Sequence, residues 1–158
     1  TARRVEQRDW DRPVLGVWTD RVVEEVANAA RPVVLVGHSC GVATIVHAAG
    51  RLHDHRVVGA YLVAPSSEAA TLALPGIDPA FAPFPRDPLP FPSIVIASRN
   101  DEHCSYDEAG DLALSWGSTL VDAGDVGHLN TASGHGPWPE GAMRFGLFLR
   151  HLGDAEAR

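Results

Sequence analysis

Residues 32–41, Pro-Val-Val-Leu-Val-Gly-His-Ser-Cys-Gly, constrain this chain more than any other stretch. Pro32 to Gly37 is an unbroken apolar run ended by glycine, which reads as a short strand buried on both faces of a parallel sheet. From residue 40 to 51 the apolar positions Val42, Ile45, Val46 and Ala49 recur at helical spacing. The join, Gly37-His38-Ser39-Cys40-Gly41, is a Gly-x-Ser-x-Gly turn. Between a strand and a helix, such a turn presents a serine hydroxyl at the sheet edge. Glycines are expected on both sides, because side chains there would crowd a tight turn that holds the serine in a strained backbone conformation. The helix that follows places its positive dipole end near any developing oxyanion. An ordinary turn with an exposed serine is the competing reading, since the pattern alone occurs by chance.

The rest of the chain alternates in the same way. Leu15, Trp18, Val22, Val26 and Ala29 mark an amphipathic helix, with Pro13 near its start and Asp11 or Asp20 as interrupting or capping residues. Residues 57–64, 93–98 and 118–122 read as further strands, 106–116 as a helix, and 140–152 as a final amphipathic helix behind Pro139. A short strand is also expected over 3–7, with a turn over 9–13. Strands alternating with helices imply right-handed crossovers and a mainly parallel sheet with helices on both faces, a three-layer α/β architecture. Residues 65–92 break the pattern with prolines at 65, 75, 79, 83, 85, 88, 90 and 92. Proline forbids a continuous helix there, and connections of this length are usually functional or disordered, so this is read as a proline-rich loop near the site.

The chain's 158 residues fit a single domain, 1–158, without room for a large lid domain. The net charge of −7, with no Lys/Arg run, argues against nucleic acid and anionic membranes as partners. No apolar run approaches the ~18 residues of a membrane span, and no signal-peptide pattern is visible. Cys40 and Cys104 form neither a framework nor a CxxC pair, which reads as two reduced thiols of a cytoplasmic protein.

A serine hydroxyl needs a base, and after a nucleophile turn the partners follow in the order acid, then histidine. Asp101 lies just past the strand at 93–98, and His128 follows the strand at 118–122. Both therefore fall on the carboxyl edge that also carries Ser39, where open α/β sheets place their sites. In these roles His128 takes the Ser39 proton and Asp101 fixes the imidazole tautomer. Asp107, Glu102 and Asp125 are the rival acids, Asp107 as a helix-starting residue and Asp125 as one too close to His128 in sequence. His38 is expected to pack or hydrogen-bond beside the turn and to contribute to substrate binding there, and His103 and Cys104 to line the cleft. His47 and His151 read as helix residues, and His53 and His55 as surface residues without zinc-ligand spacing. No metal or cofactor is implied. Trp10, Phe81, Phe84 and Trp138 are candidates to wall an apolar acyl pocket, with core or loop packing an equal reading for each.

With these residues placed, the chain resembles the small serine hydrolases related to retinoblastoma-binding protein 9, especially their bacterial branch. The matching stretches are Val33-Val-Leu-Val-Gly-His-Ser-Cys-Gly41, Leu62-Val-Ala-Pro65, residues 90–98, Gly127-His-Leu-Asn-Thr-Ala-Ser-Gly134 and Gly136-Pro-Trp-Pro-Glu-Gly141, with Arg4–Gln7 and Asp9–Pro13 beside them. The resemblance covers nearly the whole chain and is most specific around His128. It implies a compact α/β-hydrolase fold with a Ser-Asp-His triad at Ser39, Asp101 and His128. It also implies an additional N-terminal strand and a Pro-Gly loop giving one oxyanion-hole N–H, with Cys40 giving the other; residues 1–158 contain neither that strand nor that loop. The expected activity is hydrolysis of small esters or related acyl bonds through an acyl-enzyme. Peptidase or thioesterase action on the same triad and a degenerate, purely binding domain are the alternatives. A serine nucleophile argues against dehalogenation, and the lack of a large lid argues against interfacial lipolysis. The sequence leaves the oligomeric state open.

Overall fold

The computed structural model of the chain describes residues 1–52 and 56–156. In chain order the elements are α1 (Leu15–Ala27), β1 (Val33–His38), α2 (Cys40–Ala48), β2 (Val57–Val63), α3 (Glu68–Leu72), β3 (Ser93–Ala97), α4 (Tyr106–Ser115), β4 (Thr119–Asp122) and α5 (Pro139–Glu156). Short 3₁₀ turns occupy Ala49–Arg51, Pro79–Phe81 and Thr131–Ser133. The four strands form one sheet in the order β1-β2-β3-β4, and every neighbouring pair is parallel. The α/β fold expected from the alternating pattern is the observed one.

Strand order explains the layering. Each crossover steps one strand further in the same direction, and right-handed crossovers taken in one direction deposit their helices on one face. Accordingly the crossovers α2 and α4 lie there, and α1, ahead of β1, packs beside α2 on the same face, with Val22, Ile45, Val46, Leu112 and Trp116 in one cluster with Ala60, Leu62, Val95 and Ala97 of the sheet. The intervening positions Tyr61, Val63 and Ile96 face the other way and meet Phe148 and Leu152 of α5. The alternation is the period-2 geometry of strands that are covered on both sides. Cover is uneven, however: Val36 of β1 is 60% exposed. Among the described residues β1 pairs with no strand on its outer side.

The N-terminal stretch departs from expectation. Residues 3–7 form no strand. They run alongside α1, held by Arg3–Glu25 and Gln7 Nε2–Trp18 O contacts, and only Val5 packs against the core. One apolar residue among charged neighbours gives no face to bury in a sheet. Neither Asp11 nor Asp20 caps α1. The Leu15 N–H donates instead to Asp78 Oδ2, 63 residues away, at 3.0 Å, and Asp20 pairs with Arg51. Such a long-range cap is invisible to local pattern reading.

Residues 65–92 are ordered and packed. Phe81, Phe84 and Phe91 are buried in the same core as α1 and α2. The segment is fastened at several points: Asp78 N–H to Pro13 O, Leu89 N–H to Trp116 O, and Trp116 Nε1–H to Pro85 O. Glu68 accepts from Phe84 N–H and pairs with Arg86. This connection is a strap across the α1/α2/α4 face that begins just past β2 and ends with Pro92 O accepting from Ala60 N–H of β2. His53 and His55 lie outside the described residues. No helix among the described residues is long and apolar enough to cross a membrane.

Candidate active site

All four strands direct their carboxyl ends to one rim, and the residues just beyond them meet there. Ser39 follows β1 at φ 53°, ψ −120° and precedes the first residue of α2. Its N–H donates to Val63 O at 3.1 Å, tying the turn to the end of β2. A Cβ on Gly37 would lie 2.7 Å from Ile45 Cδ1 and 2.9 Å from the Gly41 backbone. Gly37 is thus required for the close approach of strand and helix. Gly41 differs from expectation: a Cβ there meets nothing beyond its own helical turn and chain neighbours.

Beyond β3 and β4, Asp101 and His128 approach Ser39. His128 Nδ1 lies 2.8 and 3.0 Å from the two Asp101 carboxylate oxygens, and His128 Nε2 lies 2.9 Å from Ser39 Oγ. A carboxylate only accepts hydrogen bonds, so Nδ1 carries the proton and Nε2 is left to accept from the serine hydroxyl. Both side chains are nearly closed to water, at 7% and 3% exposure. Of the rival acids, Glu102 faces His103 at 3.5 Å, Asp107 sits in the first turn of α4, and Asp125 is exposed. Among the described residues Asp101 is the only carboxylate that bonds the His128 ring.

The supports of this pair are local and specific. His103 N–H donates to Asp101 Oδ1 at 2.8 Å. Ser98, 1% exposed, donates toward Asn100 Oδ1 and Gly124 O and accepts from Val126 N–H. Asn100 Oδ1 in turn accepts from Gly127 N–H at 2.7 Å. The loops after β3 and β4 are thereby laced together directly beneath Asp101 and His128. His38 Nε2–H donates to His128 O at 2.8 Å. The rings of His38 and His103 stand 4.8 and 4.3 Å from that of His128, so the imidazole is flanked on two sides. Burial outweighs the backbone bond to His128 and lowers the His38 pKa, even though the residue keeps open surface at the sheet edge.

Cys40 is the first residue of α2, so its N–H belongs to the donors a helix N-terminus leaves without an intrahelical partner. Its thiol is not a competing nucleophile. Burial pushes Cys40 up to about 11 and Cys104 to about 12, so both remain protonated at neutral pH.

One rim residue escaped the sequence reading. Ser66, just past β2, places its Oγ 2.9 Å from Ser39 Oγ and is 6% exposed. The signal available for it was position alone, the carboxyl end of a parallel strand. The proposed pocket aromatics are not brought together at Ser39. Phe81 is wholly buried, edge-on to Trp18 and His47, and presents no surface to a ligand. Phe84 is likewise buried beside His47. Trp10 meets Trp18 of α1 edge-on, with Arg4 over the Trp10 ring. Trp138 packs in the α5 cluster with its ring over Gly141. Two surface depressions run along α1, lined by residues including Arg8, Val17 and Trp18, and include none of Ser39, Asp101 and His128. No group of three or more His, Cys, Asp or Glu side chains among the described residues is arranged to hold a metal ion.

Residues 1–146 match the sequence profile of a family described as serine hydrolase. Among solved structures, the chain is similar to a YdeN-like hydrolase of Pectobacterium atrosepticum, with 32% identity and a TM-score of 0.81 over 94% of this chain and 76% of the other. The ydeN gene product of Bacillus subtilis shares 20% identity with a TM-score of 0.68, over 88% of this chain and 77% of its own. A thermophilic esterase from Thermogutta terrifontis shares 16% identity with a TM-score of 0.65, over 89% and 74% respectively. These last two likenesses concern the fold. No curated protein sequence matches the chain.

Proposed function

This chain belongs to the serine hydrolase family, and from that premise we propose that it cleaves small esters or related acyl bonds through an acyl-enzyme on Ser39. In this reading His128 Nε2 takes the Ser39 proton as Oγ attacks the acyl carbon, and Asp101 steadies the resulting imidazolium. The oxyanion is met by the Cys40 N–H at the start of α2, where the helix dipole also favours negative charge. The tetrahedral intermediate collapses, His128 returns the proton to the leaving oxygen, and the acyl group stays on Ser39. Water then repeats the sequence, giving up its proton to His128 as it attacks, and releases the acid.

The observation that carries this reading is the unbroken hydrogen-bonded chain from Asp101 through His128 to Ser39 Oγ, with 2.8 and 2.9 Å contacts at its two ends. The aromatic rings of the 65–92 strap turn into the core, which favours short acyl groups over long ones at the rim. Kinship with the retinoblastoma-binding protein 9 branch belongs to the same proposal and rests on the motifs at 127–134 and 136–141.

A fluorophosphonate probe tests the assignment. Wild type is expected to be labelled and to hydrolyse p-nitrophenyl acetate, while Ser39→Ala does neither, a fall of up to about 10⁶ in kcat. Equal labelling of the two proteins rejects it. Parallel assays with p-nitrophenyl esters, acyl-CoA and short peptides separate esterase from thioesterase and peptidase action.

A further inference from the structure

We propose that Ser66 is a further catalytic residue, donating a hydrogen bond to Ser39 Oγ that strengthens as that oxygen acquires negative charge. The inference rests on the reading of Ser39 as nucleophile and adds a role for a residue outside the Ser-Asp-His set.

Proton accounting gives the direction of the bond. Asp101 fixes the His128 proton on Nδ1, so Nε2 accepts the only proton Ser39 Oγ carries. Ser39 Oγ then has no hydrogen left for Ser66, and the 2.9 Å contact between the hydroxyls must have Ser66 as donor. Among the described residues the Ser66 hydroxyl makes no other hydrogen bond. It is also shielded from water at 6% exposure, so its proton has one place to go.

The backbone aims Ser66 at this point. Ala64 takes φ 45°, a left-handed conformation that a residue with a Cβ adopts only at a cost. Its N–H donates to Ile96 O at 2.8 Å, and Pro65 is fully buried. On the other side, Ser67 N–H donates to His103 O and the Ser67 hydroxyl caps α3 through Ala70 N–H. Ser66 is held from both directions. The non-glycine residues at positive φ among those described are Ser39, Ala64 and Leu129. Each is at, next to, or two residues from Ser39, Ser66 or His128, so among the described residues the non-glycine positive-φ positions all fall at this rim.

The energetic consequence is selective. Before reaction, Ser66 bonds a neutral hydroxyl. As His128 removes the proton, Oγ becomes partly anionic, and a charge-assisted bond is about twice as strong as a neutral one. An interaction stronger in the transition state than in the ground state raises kcat and leaves substrate affinity alone. The same bond assists when Oγ is expelled from the second tetrahedral intermediate. Ser66 keeps its proton throughout.

Ser66→Ala, Ser66→Thr and Ser39→Ala are compared with wild type for fluorophosphonate labelling rate, kcat and KM on p-nitrophenyl acetate, with folding checked by circular dichroism. Ser66→Ala is expected to label and turn over about five- to tenfold more slowly with KM unchanged, and Ser66→Thr to recover to within about twofold. Should the added methyl unfold Ser66→Thr, Ser66→Ala decides alone through the split between kcat and KM. Wild-type rates in folded Ser66→Ala, or a rise in KM at constant kcat, overturn the role of Ser66 while Ser39→Ala stays unlabelled. Labelling of Ser39→Ala at the wild-type rate overturns the nucleophile assignment and the role of Ser66 with it.

Discussion

Gly37 sets how closely the strand and helix around the serine turn can approach. With Ile45 Cδ1 and the Gly41 backbone both within 3.0 Å of where a Cβ would lie, Gly37→Ala must push strand and helix apart. Overpacking of this kind costs about 1–3 kcal/mol, which for a domain of this size lowers the unfolding temperature by roughly 2–12 °C. Thermal denaturation measures it, and Gly41→Ala, whose Cβ has space, is the control expected to change less. At this scale the meeting of Ser39, Asp101 and His128 was legible, because acid and base chemistry admits few residue types and parallel strands deliver them to one edge. Ser66 was not, because a serine after a proline carries no mark of what its hydroxyl will face. Phe81 misled for a related reason: composition places an aromatic ring near a site but leaves open which way it turns.

Among the elements, the 65–92 strap has the clearest pH signature. The Phe84 N–H, with Arg86 beside it, holds the Glu68 carboxyl below its ordinary range against a smaller opposing effect of burial. A depressed carboxylate stabilises the fold fully above the unfolded-state pKa of about 4.3, and that contribution fades as pH falls through the lower folded-state value. Glu68→Gln is therefore expected to cost about 1 kcal/mol at pH 7 and to converge with wild type in strong acid. Unfolding temperatures of the two proteins across pH 2–7 check this. The strands and long helices were legible from periodicity and glycine ends. The strap was not, since its cohesion comes from bonds such as Asp78 to Leu15 and Trp116 to Pro85 between residues distant in sequence. The expected strand at 3–7 failed because β propensity without an apolar face has nothing to bury.

For the whole molecule, the alternating pattern implied a parallel sheet between helical layers, and that is the architecture. The placing of α2, the 65–92 strap and α4 on one face follows from sequential strand order, which hydrophobic periodicity does not encode. The same order leaves β1 at a margin, its outer row of N–H and C=O groups unmatched among the described residues and Val36 60% exposed beside it. Unpaired apolar margins act as templates for other chains, and a single lysine is a common deterrent. For residues 1–158 prepared as such, Val36→Lys is expected to reduce light scattering at high concentration with little change in unfolding temperature. The six residues of that margin are also the stem on which Ser39 stands. Anything that zips onto it grips the stem of the proposed nucleophile, so on that proposal self-association and turnover would bear on the same strand.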